Sequence, residues 1–301
     1  MFITNQLDAS QAAEIASLEA LCKKTEHLKG SIFLSSELNF DPKLPCFYLL
    51  YHPKRPSMLI AFLSIFAPLP TEAEIYAYTA PKYRHKGCFR TLLKRALLVL
   101  RKYRLRDLLF VYEPNARCFA PILKHLAAVY QYSEYLMTLY QPCCNSTSLP
   151  KGLALISASK KELKKLARLH AAAYHLEKKS SLTLLSDIFE SEHTYARKLT
   201  IGRQSFLVGI CFFTVGEKEL SIFSIAIHPS HQKKGYALAM LSTLFKEFSI
   251  THANLPITLQ VNSRNIPAYM LYQKLGFQIT SQVDYSYADR EQLLKNLTPK
   301  V

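Results

Sequence analysis

A short basic turn between an apolar strand and an apolar helix occurs twice in this 301-residue chain. The first copy reads PKYRHKG, at residues 81–87, and the second reads PSHQKKG, at residues 229–235. In each copy, an apolar run with the length of a β-strand comes before the turn, and another comes after the helix. Two strands joined by one helix are typical of a parallel β-α-β unit, so the sequence predicts one such unit in each half.

The segments that flank the two turns also follow a common order. In the first half, helical residues 9–25 precede three strand-like runs, and in the second half a helix at residues 159–176 precedes two such runs. Each half then continues through turn, helix, strand, helix and strand. We interpret the chain as a duplicated α/β domain (an α+β mixed sheet) that combines antiparallel and parallel strands.

A linker separates the two predicted domains near the middle of the chain. Residues 141–152, QPCCNSTSLPKG, hold two prolines, a glycine, an asparagine and three Ser or Thr residues between two segments with periodic apolar residues. The sequence therefore predicts an N-terminal domain at residues 1–145 and a C-terminal domain at residues 146–301.

Charge and cysteine content limit the partners and the setting of the chain. The formal net charge of +16 favours an acidic partner, such as nucleic acid, an anionic membrane or a phosphate-bearing ligand, although a solvated basic surface gives the same number. The seven cysteines show neither CxxC nor zinc spacing, so the sequence predicts reduced thiols, no bound metal and a cytoplasmic protein. No signal peptide is expected, and no apolar run approaches the ~20 residues of a membrane span, so no membrane partner is predicted.

The chemistry of a helix start explains why glycine and cations occur in the two turns. The first backbone N–H groups of a helix have no partner within it and carry partial positive charge, so they bind anions, and glycine permits close approach and positive φ. We interpret both turns as cradles for a phosphate or pyrophosphate, with a plain helix start on a solvated surface as the alternative. The predicted cradle residues are Gln232, Lys233, Lys234, Gly235, Tyr236 and Ala237 in the second half, and Arg84, His85, Lys86, Gly87, Cys88 and Phe89 in the first.

Two motifs of the second half resemble those of a known superfamily. Q-K-K-G-Y-A, at residues 232–237, resembles the Q/R-x-x-G-x-G/A signature of the GNAT N-acetyltransferases, and NSRNIPAYMLYQKLGF, at residues 262–277, resembles their second motif, N-x-x-A-x-x-L-Y-x-K-L-G-F. The resemblance covers most of the second half and implies that the turn binds the pyrophosphate of acetyl-CoA, the thioester of coenzyme A. It also implies that the strand before the turn pairs with the pantetheine arm, so that the further cofactor-binding residues are Ile225, Ala226, Ile227 and, from the second motif, Asn265.

The resemblance implies a reaction as well. In the superfamily, a neutral amine attacks the thioester carbon directly, and a tyrosine of the second-motif helix protonates the departing thiolate. Tyr272 occupies that position and is the candidate acid, with packing against CoA or the sheet as its alternative role. Asn265 and Tyr272 are two helical turns apart and share a face, whereas Met270 and Leu271 are expected to pack on the sheet.

The position at which some relatives carry a carboxylate base is filled by Gln260, which cannot take a proton. Glu219 precedes the core of its strand and is a weak substitute. His228 ends the same strand and is expected to face the turn. We therefore expect water or a distant group to accept the proton of the amine.

The first half departs from the superfamily pattern at two positions. Phe89 replaces the small residue that ends the signature, and Ile122 or Leu123 occupies the position of the tyrosine. Glu74 is a candidate base, although a charge on an edge strand is the favoured interpretation. The pattern indicates two tandem GNAT-like acyl-CoA N-acyltransferase domains, one competent and one degenerate, and the turn of the first is a possible second cofactor site.

Two other functions remain open at this point. A basic stretch beside Tyr103 is consistent with RNA or ribosome binding, although nucleic acid is the less favoured partner. Its cations are Arg90, Lys94, Arg95, Arg101, Lys102, Arg104 and Arg106. A non-catalytic acetyl-CoA-binding protein is the other alternative. The amine acceptor and the oligomeric state are not specified by the sequence, and residues 178–196, an ill-defined stretch, are expected among the acceptor loops.

Overall fold

The computed structural model describes residues 1–30, 32, 34, 36–141 and 148–297. The contacts between residues divide the chain into two compact units. Unit 1 comprises residues 1–134 together with 281–301, and unit 2 comprises residues 135–280. The predicted domain boundary, between residues 145 and 146, lies outside the described residues, as do two of the cysteines, Cys143 and Cys144. The five described cysteines are free thiols.

Unit 1 contains most of the first half of the chain and its C-terminal segment. Its elements in chain order are β1 (Phe2–Thr4), α1 (Ala9–Glu26), β2 (Phe47–His52), β3 (Arg55–Phe66), β4 (Glu72–Thr79), α2 (Cys88–Lys102), β5 (Asp107–Tyr112), α3 (Ala120–Leu126) and the start of β6 (Val129–Leu139), with the end of β12 (Gln278–Asp289) and α8 (Arg290–Leu297). The strand order is β1-β2-β3-β4-β5-β12. Helices α1, α2, α3 and α8 contribute to one buried cluster with the sheet.

Unit 2 repeats this plan. Its further elements are β7 (Leu153–Ser157), α4 (Leu163–Tyr174), α5 (Lys178–Glu190), β8 (Thr194–Ile201), β9 (Phe206–Val215), β10 (Leu220–Ile227), α6 (Tyr236–Thr251), β11 (Ile257–Asn262) and α7 (Ile266–Lys274). The strand order is β6-β11-β10-β9-β8-β7. Helices α6 and α7 belong to one buried cluster, and α4 and α5 belong to another.

The mixed α/β fold is therefore confirmed. In each unit, the strands before the turn are antiparallel, and the strand before the turn is parallel to the strand after the following helix. Among the described residues, no helix combines the length and the apolar character that crossing a lipid bilayer requires.

Three features differ from the sequence-based expectation. The ill-defined stretch at residues 178–196 contains a helix, α5, and the start of β8, and a short helix, α8, follows the last strand. The third difference concerns the C-terminal strand. β12 pairs antiparallel with β5 from Asp284–Tyr112 to Asp289–Asp107, so residues from Ser281 onward belong to the same compact unit as the N-terminal half.

Candidate functional site

The turn that precedes α6 brings left-handed residues to a helix N-terminus. Pro229–His231 form one 3₁₀ turn, and Gln232 follows in an extended conformation. Lys233 and Gly235 adopt φ values of 59° and 76°, and Gly235 is the N-cap residue of α6. Left-handed residues in such a loop turn backbone N–H groups toward one side and create a concave site for anions. Within the described part of the chain, no side chain caps α6, so its first N–H groups are free to bind a ligand.

The turn that precedes α2 has the same backbone. Pro81–Tyr83 form the 3₁₀ turn, and Arg84 is extended. His85 and Gly87 adopt φ values of 60° and 78°, and Gly87 is the N-cap residue of α2. The two turns are therefore one local structure that the chain forms twice.

The fourth residue of each turn holds the turn against the preceding strand. Gln232 Nε2 donates to the Ile227 carbonyl at 3.1 Å, and Arg84 Nε donates to the Thr79 carbonyl at 3.1 Å. Arg84 also forms an ion pair of 2.8 Å with Glu26. These two predicted cofactor ligands therefore position the turn with their side chains. The basic side chains that stay exposed to an anion are those of His85, Lys86, Lys233 and Lys234.

In unit 2, the parallel strands on either side of the turn separate. β10 and β11 pair at two positions, the last of which joins Ser221 to Thr258. Both strands continue beyond this point, β10 to Ile227 and β11 to Asn262. Backbone groups that face such a gap can pair with an extended ligand, as an added strand does at a sheet edge.

In unit 1, a similar gap opens between β4 and β5, but the two strands pair at four positions before it begins. The pairing of β4 with β5 ends at Ile75 and Phe110, whereas the strands end at Thr79 and Tyr112. Both units therefore combine a turn of the type that can bind anions with an opening between two parallel strands.

A β-bulge in β10 lies beside the gap of unit 2. The register with β9 shifts between Phe223 and Ala226, and Ser224 has a φ of 47°. A bulge interrupts the ladder and redirects backbone groups. Tyr174, the last residue of α4, donates from its hydroxyl to the Ile225 carbonyl within the bulge at 3.0 Å. Residues 225–227, which are predicted to pair with the cofactor, therefore begin within the bulge.

Tyr174 is supported by a buried polar pair. Its ring packs on that of His170 in a tilted arrangement, with centroids 4.5 Å apart, and His170 Nδ1 lies 3.0 Å from Ser181 Oγ of α5. Burial lowers the pKa of His170, so the imidazole is neutral at neutral pH. Loss of water around the Tyr174 hydroxyl raises its pKa to about 12, so it remains a hydrogen-bond donor. Helix α5, which the sequence did not predict, therefore helps to orient Tyr174 at the gap.

Gly209 of β9 lies opposite the bulge and leaves no room for a side chain. A Cβ at this position would be 2.6 Å from Ile227 Cδ1 and 3.3 Å from the Ala226 carbonyl oxygen. We expect Gly209→Ala to displace β10 and to lower the free energy of unfolding by about 1–3 kcal/mol. Urea denaturation measures this loss. The control is Gly216→Ala, whose Cβ would meet only the Glu219 carbonyl at 3.2 Å among the described residues. An equal loss in both variants would contradict the specific role of Gly209.

Helix α7 begins after Asn265 and ends before Gly276, two residues of the second motif. Asn265 is the N-cap residue, and its Oδ1 accepts the Ala268 N–H at 3.3 Å. Pro267 lies in the first turn, and Gly276 follows the helix with a φ of 92°. The cap uses the oxygen of Asn265, a predicted cofactor ligand, and leaves its side-chain nitrogen on the exposed surface.

Tyr272 is buried in unit 2. Only 6% of its surface is exposed, and its ring lies 5.9 Å from that of Phe277. Burial raises the pKa of Tyr272, and the neighbouring Tyr174 adds to this effect, so the Tyr272 hydroxyl keeps its proton at neutral pH. Leu271 packs against the core as expected. The same expectation for Met270 is wrong, because 62% of its surface is exposed.

The three polar residues considered as bases in unit 2 have different surroundings. Glu219 is exposed beside the paired end of β10, where it accepts from Ser221 Oγ at 3.3 Å. Gln260 is also exposed. His228 Nδ1 lies 2.8 Å from Ser230 Oγ, so its ring faces the turn as expected. Water or a distant group therefore stays the predicted acceptor of the proton.

A cavity of about 500 Å³ opens at the turn of unit 1, a size typical of small-molecule sites. Arg84, His85, Gly87, Cys88 and Phe89 of the predicted second cofactor site line it, and so do aromatic residues of β4 and β5. Val283 of β12 and Leu297 of α8 complete the wall. The unit with the degenerate motifs therefore has a well-formed cavity, and the end of the chain helps to close it.

The two substitutions of unit 1 have different consequences. The Phe89 ring packs against that of Phe119 at 5.7 Å. Among the described residues, a Cβ at Gly87 would have only Arg90 Nη2 within 4 Å, so Phe89 does not fill the turn. The counterpart of Tyr272 is Leu123 rather than Ile122. Leu123 accepts the Ala128 N–H after the left-handed Ala127, as Tyr272 accepts the Phe277 N–H after Gly276. Leucine cannot donate a proton.

Glu74 is a half-buried carboxylate on an interior strand. β4 pairs with both β3 and β5, so the interpretation of Glu74 as an edge-strand charge is wrong. Tyr76, which lines the cavity, donates from its hydroxyl to Glu74 Oε2 at 2.5 Å. Burial, together with the charge of Glu134, raises the pKa of Glu74 to about 7 despite this hydrogen bond. A carboxylate with such a pKa can accept a proton near neutral pH.

Comparison with known proteins finds one family model that matches part of unit 2. Residues 163–277 match the model of the acetyltransferase (GNAT) family. Among proteins with curated descriptions, none matches the chain. Several solved structures resemble nearly the whole chain.

A GCN5-related N-acetyltransferase from Sphaerobacter thermophilus has a TM-score of 0.75 and 14% identity, over 98% of this chain and 96% of its own. A tandem GNAT protein from the clavulanic acid biosynthesis pathway has a TM-score of 0.70 and 13% identity, over 100% of this chain and 99% of its own. A GNAT-family acetyltransferase from Colwellia psychrerythraea has a TM-score of 0.59 and 12% identity, over 96% of this chain and 100% of its own. At these identities, the likeness concerns the fold.

Proposed function

Because residues 163–277 belong to the acetyltransferase (GNAT) family and the chain has the fold of tandem GNAT proteins, we propose that it is an N-acetyltransferase. The proposed reaction moves the acetyl group of acetyl-CoA to a primary amine, by direct attack, in unit 2. The observation that carries this proposal is the junction of the Gly235 turn with the gap between β10 and β11. The turn suits a pyrophosphate, and the gap suits an extended arm. The turn directly follows β10, one of the two strands that border the gap.

The residues of unit 2 divide into binding, positioning and proton-transfer roles in this proposal. The N–H groups at the start of α6, with Lys233 and Lys234, bind the phosphates. Backbone groups of residues 225–227 pair with the arm, and Tyr174 fixes the Ile225 carbonyl among them. Acetyl-CoA supplies the activated acetyl thioester when bound. Tyr272 donates its proton to the sulfur as the bond to carbon breaks.

The proposal is tested by turnover with a panel of amines. Purified full-length protein is mixed with acetyl-CoA and a small amine, an amine-bearing antibiotic, a peptide with a free N-terminus or a lysine peptide, and release of the CoA thiol is recorded. We expect amine-dependent release with at least one acceptor class. Binding of acetyl-CoA without release in any of these mixtures would favour the alternative function, a non-catalytic acetyl-CoA-binding protein.

Unit 1 is a second candidate site for acyl-CoA. Two observations favour it: the Gly87 turn has the same backbone as the Gly235 turn, and the cavity beside it has a volume of about 500 Å³. Leu123 leaves unit 1 without the acid of unit 2, but Glu74 and Tyr76 form a protonatable pair at the inner end of the gap. We therefore propose that unit 1 binds acyl-CoA and that Glu74 is its base if this unit also transfers the acyl group.

The pH dependence of unit 1 follows from the pKa of Glu74, which burial raises to about 7. In a Gly235→Glu background, we expect residual transfer to rise with pH through about 7 and Glu74→Gln to lower it by about 10²-fold or more. Because the folded-state pKa lies above the usual 4.5, the stability linked to protonated Glu74 is lost as pH rises toward 7. Glu74→Gln should therefore be the more stable protein above pH 7.

The matched control for this variant is Glu217→Gln, an exposed carboxylate between β9 and β10, because Glu72 itself adds to the raised pKa of Glu74. It should change neither the pH profile nor the stability difference. A residual activity that is independent of pH, or equal in the two variants, would remove Glu74 from the proposed mechanism.

A further inference from the structure

One segment of unit 1 is far more basic than the mechanism requires. Between residues 81 and 106 there is no aspartate or glutamate. The cations of this segment are Lys82, Arg84, Lys86, Arg90, Lys94, Arg95, Arg101, Lys102, Arg104 and Arg106. Among the residues that the structure describes, two of them form ion pairs, Arg84 with Glu26 and Arg106 with Asp289.

Helix α2 collects five of these cations on a single face. At 100° per residue, its exposed positions fall within one arc of about 140°. We call this surface the basic face of α2, and its cations are Arg90, Lys94, Arg95, Arg101 and Lys102. With a rise of 1.5 Å per residue, the face is about 18 Å long from its first to its last cation. It continues at the C-terminal end of the helix into Arg104, which is exposed.

The arrangement of charge on this face works against the stability of the isolated helix. Arg90 and Lys94 are four residues apart, a spacing at which like charges repel. Arg90 also lies in the first turn, where the helix dipole disfavours a cation. In α1, by contrast, Lys23 forms an ion pair with Glu19 at 3.0 Å. Glu291 of α8 lies near Arg101, but among the described residues none of the five cations of the face forms an ion pair, so a polyanion would stabilise the row.

The length and composition of the face decide which polyanion fits. A single coenzyme A places its pyrophosphate at the Gly87 turn, but the cations extend about 18 Å beyond it. Duplex nucleic acid carries one charge per about 1.7 Å of axis, so a face of this length can meet several phosphates.

The apolar side of α2 is buried in the core and cannot enter a lipid bilayer, because Leu92, Leu93, Ala96, Leu97 and Leu100 are all fully buried. A protein partner would need a central apolar anchor, and the face offers only Leu98.

We propose that the basic face of α2 binds the phosphate backbone of a nucleic acid. The contact is electrostatic and independent of base sequence, because cations paired with phosphates carry no sequence information. This surface is separate from the acyl-transfer chemistry of unit 2, and its test does not depend on that activity.

The test measures the binding of a fluorescein-labelled RNA hairpin by anisotropy, between about 50 and 200 mM salt. For five phosphate contacts, we expect the logarithm of the binding constant to fall with the logarithm of salt concentration with a slope of about −4. The variant Arg95→Gln/Arg101→Gln/Lys102→Gln should weaken binding by at least about tenfold at the lower salt, and it should make the slope shallower by about 2 to 3. None of these residues lines the cavity of unit 1.

The matched control removes equal charge from an exposed helix face of unit 2, as Lys164→Gln/Lys165→Gln/Arg168→Gln. It should retain most of the RNA affinity, and both triple variants should bind acetyl-CoA as the parent protein does. Equal weakening in both variants would show that binding follows net charge alone and would overturn the proposal. Absence of RNA binding at the lower salt would overturn it as well, and so would binding of phosphatidylserine vesicles, but not RNA, through the same three cations.

Discussion

Gly235→Glu is expected to weaken the binding of acetyl-CoA to unit 2 by at least about 100-fold, or ~2.7 kcal/mol. Two effects combine. The residue has a φ of 76°, which an L side chain adopts only with strain. The new carboxylate also lies at the N-terminus of α6, where the proposed phosphates bind, so like charges repel. Isothermal titration calorimetry gives both the affinity and the number of sites.

The control for Gly235→Glu introduces the same side chain under the same backbone strain but away from the turn. Gly202, in the hairpin between β8 and β9, has a φ of 74°, and a Cβ there meets no atom within 4 Å among the described residues. Gly202→Glu should therefore bind acetyl-CoA normally. A comparable loss in both variants would mean that strain or net charge, rather than a phosphate site, explains the result.

The variant Gly87→Glu shows which unit holds each bound acetyl-CoA. If the parent protein binds two molecules of acetyl-CoA, each glutamate variant should retain one site. If it binds one and Gly87→Glu alone abolishes it, the cofactor belongs to the cavity of unit 1, and the assignment of transfer to unit 2 is wrong. The Gly87 turn is the alternative site for acetyl-CoA because its backbone is the same as that of the Gly235 turn and because Phe89 packs beside it rather than in it.

The parts of the site that the sequence predicts are those that neighbouring residues determine. The left-handed turns follow from Gly87 and Gly235 next to a helix start. The limits of α7 follow from Asn265 and Gly276, and the parallel units follow from strand, turn, helix and strand in succession. In each case, the residues that fix the conformation lie within a few positions of the feature itself.

The parts that the sequence does not predict depend on residues far apart in the chain. The cavity of unit 1 needs Val283 and Leu297, which no local pattern connects to the Gly87 turn. The raised pKa of Glu74 depends on burial and on Glu134, which is sixty positions away. The contact of Tyr174 with the Ile225 carbonyl requires both the bulge in β10 and the packing of α4, neither of which leaves a periodic signal.

Tyr272→Phe is expected to lower the turnover number by about 10²–10⁴-fold, the range for loss of a general acid, while the dissociation constant for acetyl-CoA changes little. Burial raises the pKa of Tyr272, so the hydroxyl holds its proton across the neutral range and enters the reaction protonated. The loss of a hydroxyl beside Phe277 leaves the packing of the ring intact, so the variant should fold as the parent protein does.

Tyr269→Phe, one turn earlier on α7, provides the matched comparison for Tyr272→Phe. Its hydroxyl accepts from Gln273 Nε2 at 2.9 Å, so the same atom is removed from the same helix. Turnover should be nearly unchanged. If Tyr272→Phe also keeps its activity, Tyr272 serves only to pack against Phe277, and the proton must come from another group. Tyr174, whose hydroxyl lies 3.0 Å from the Ile225 carbonyl at the same gap, is then the residue that Tyr174→Phe should test.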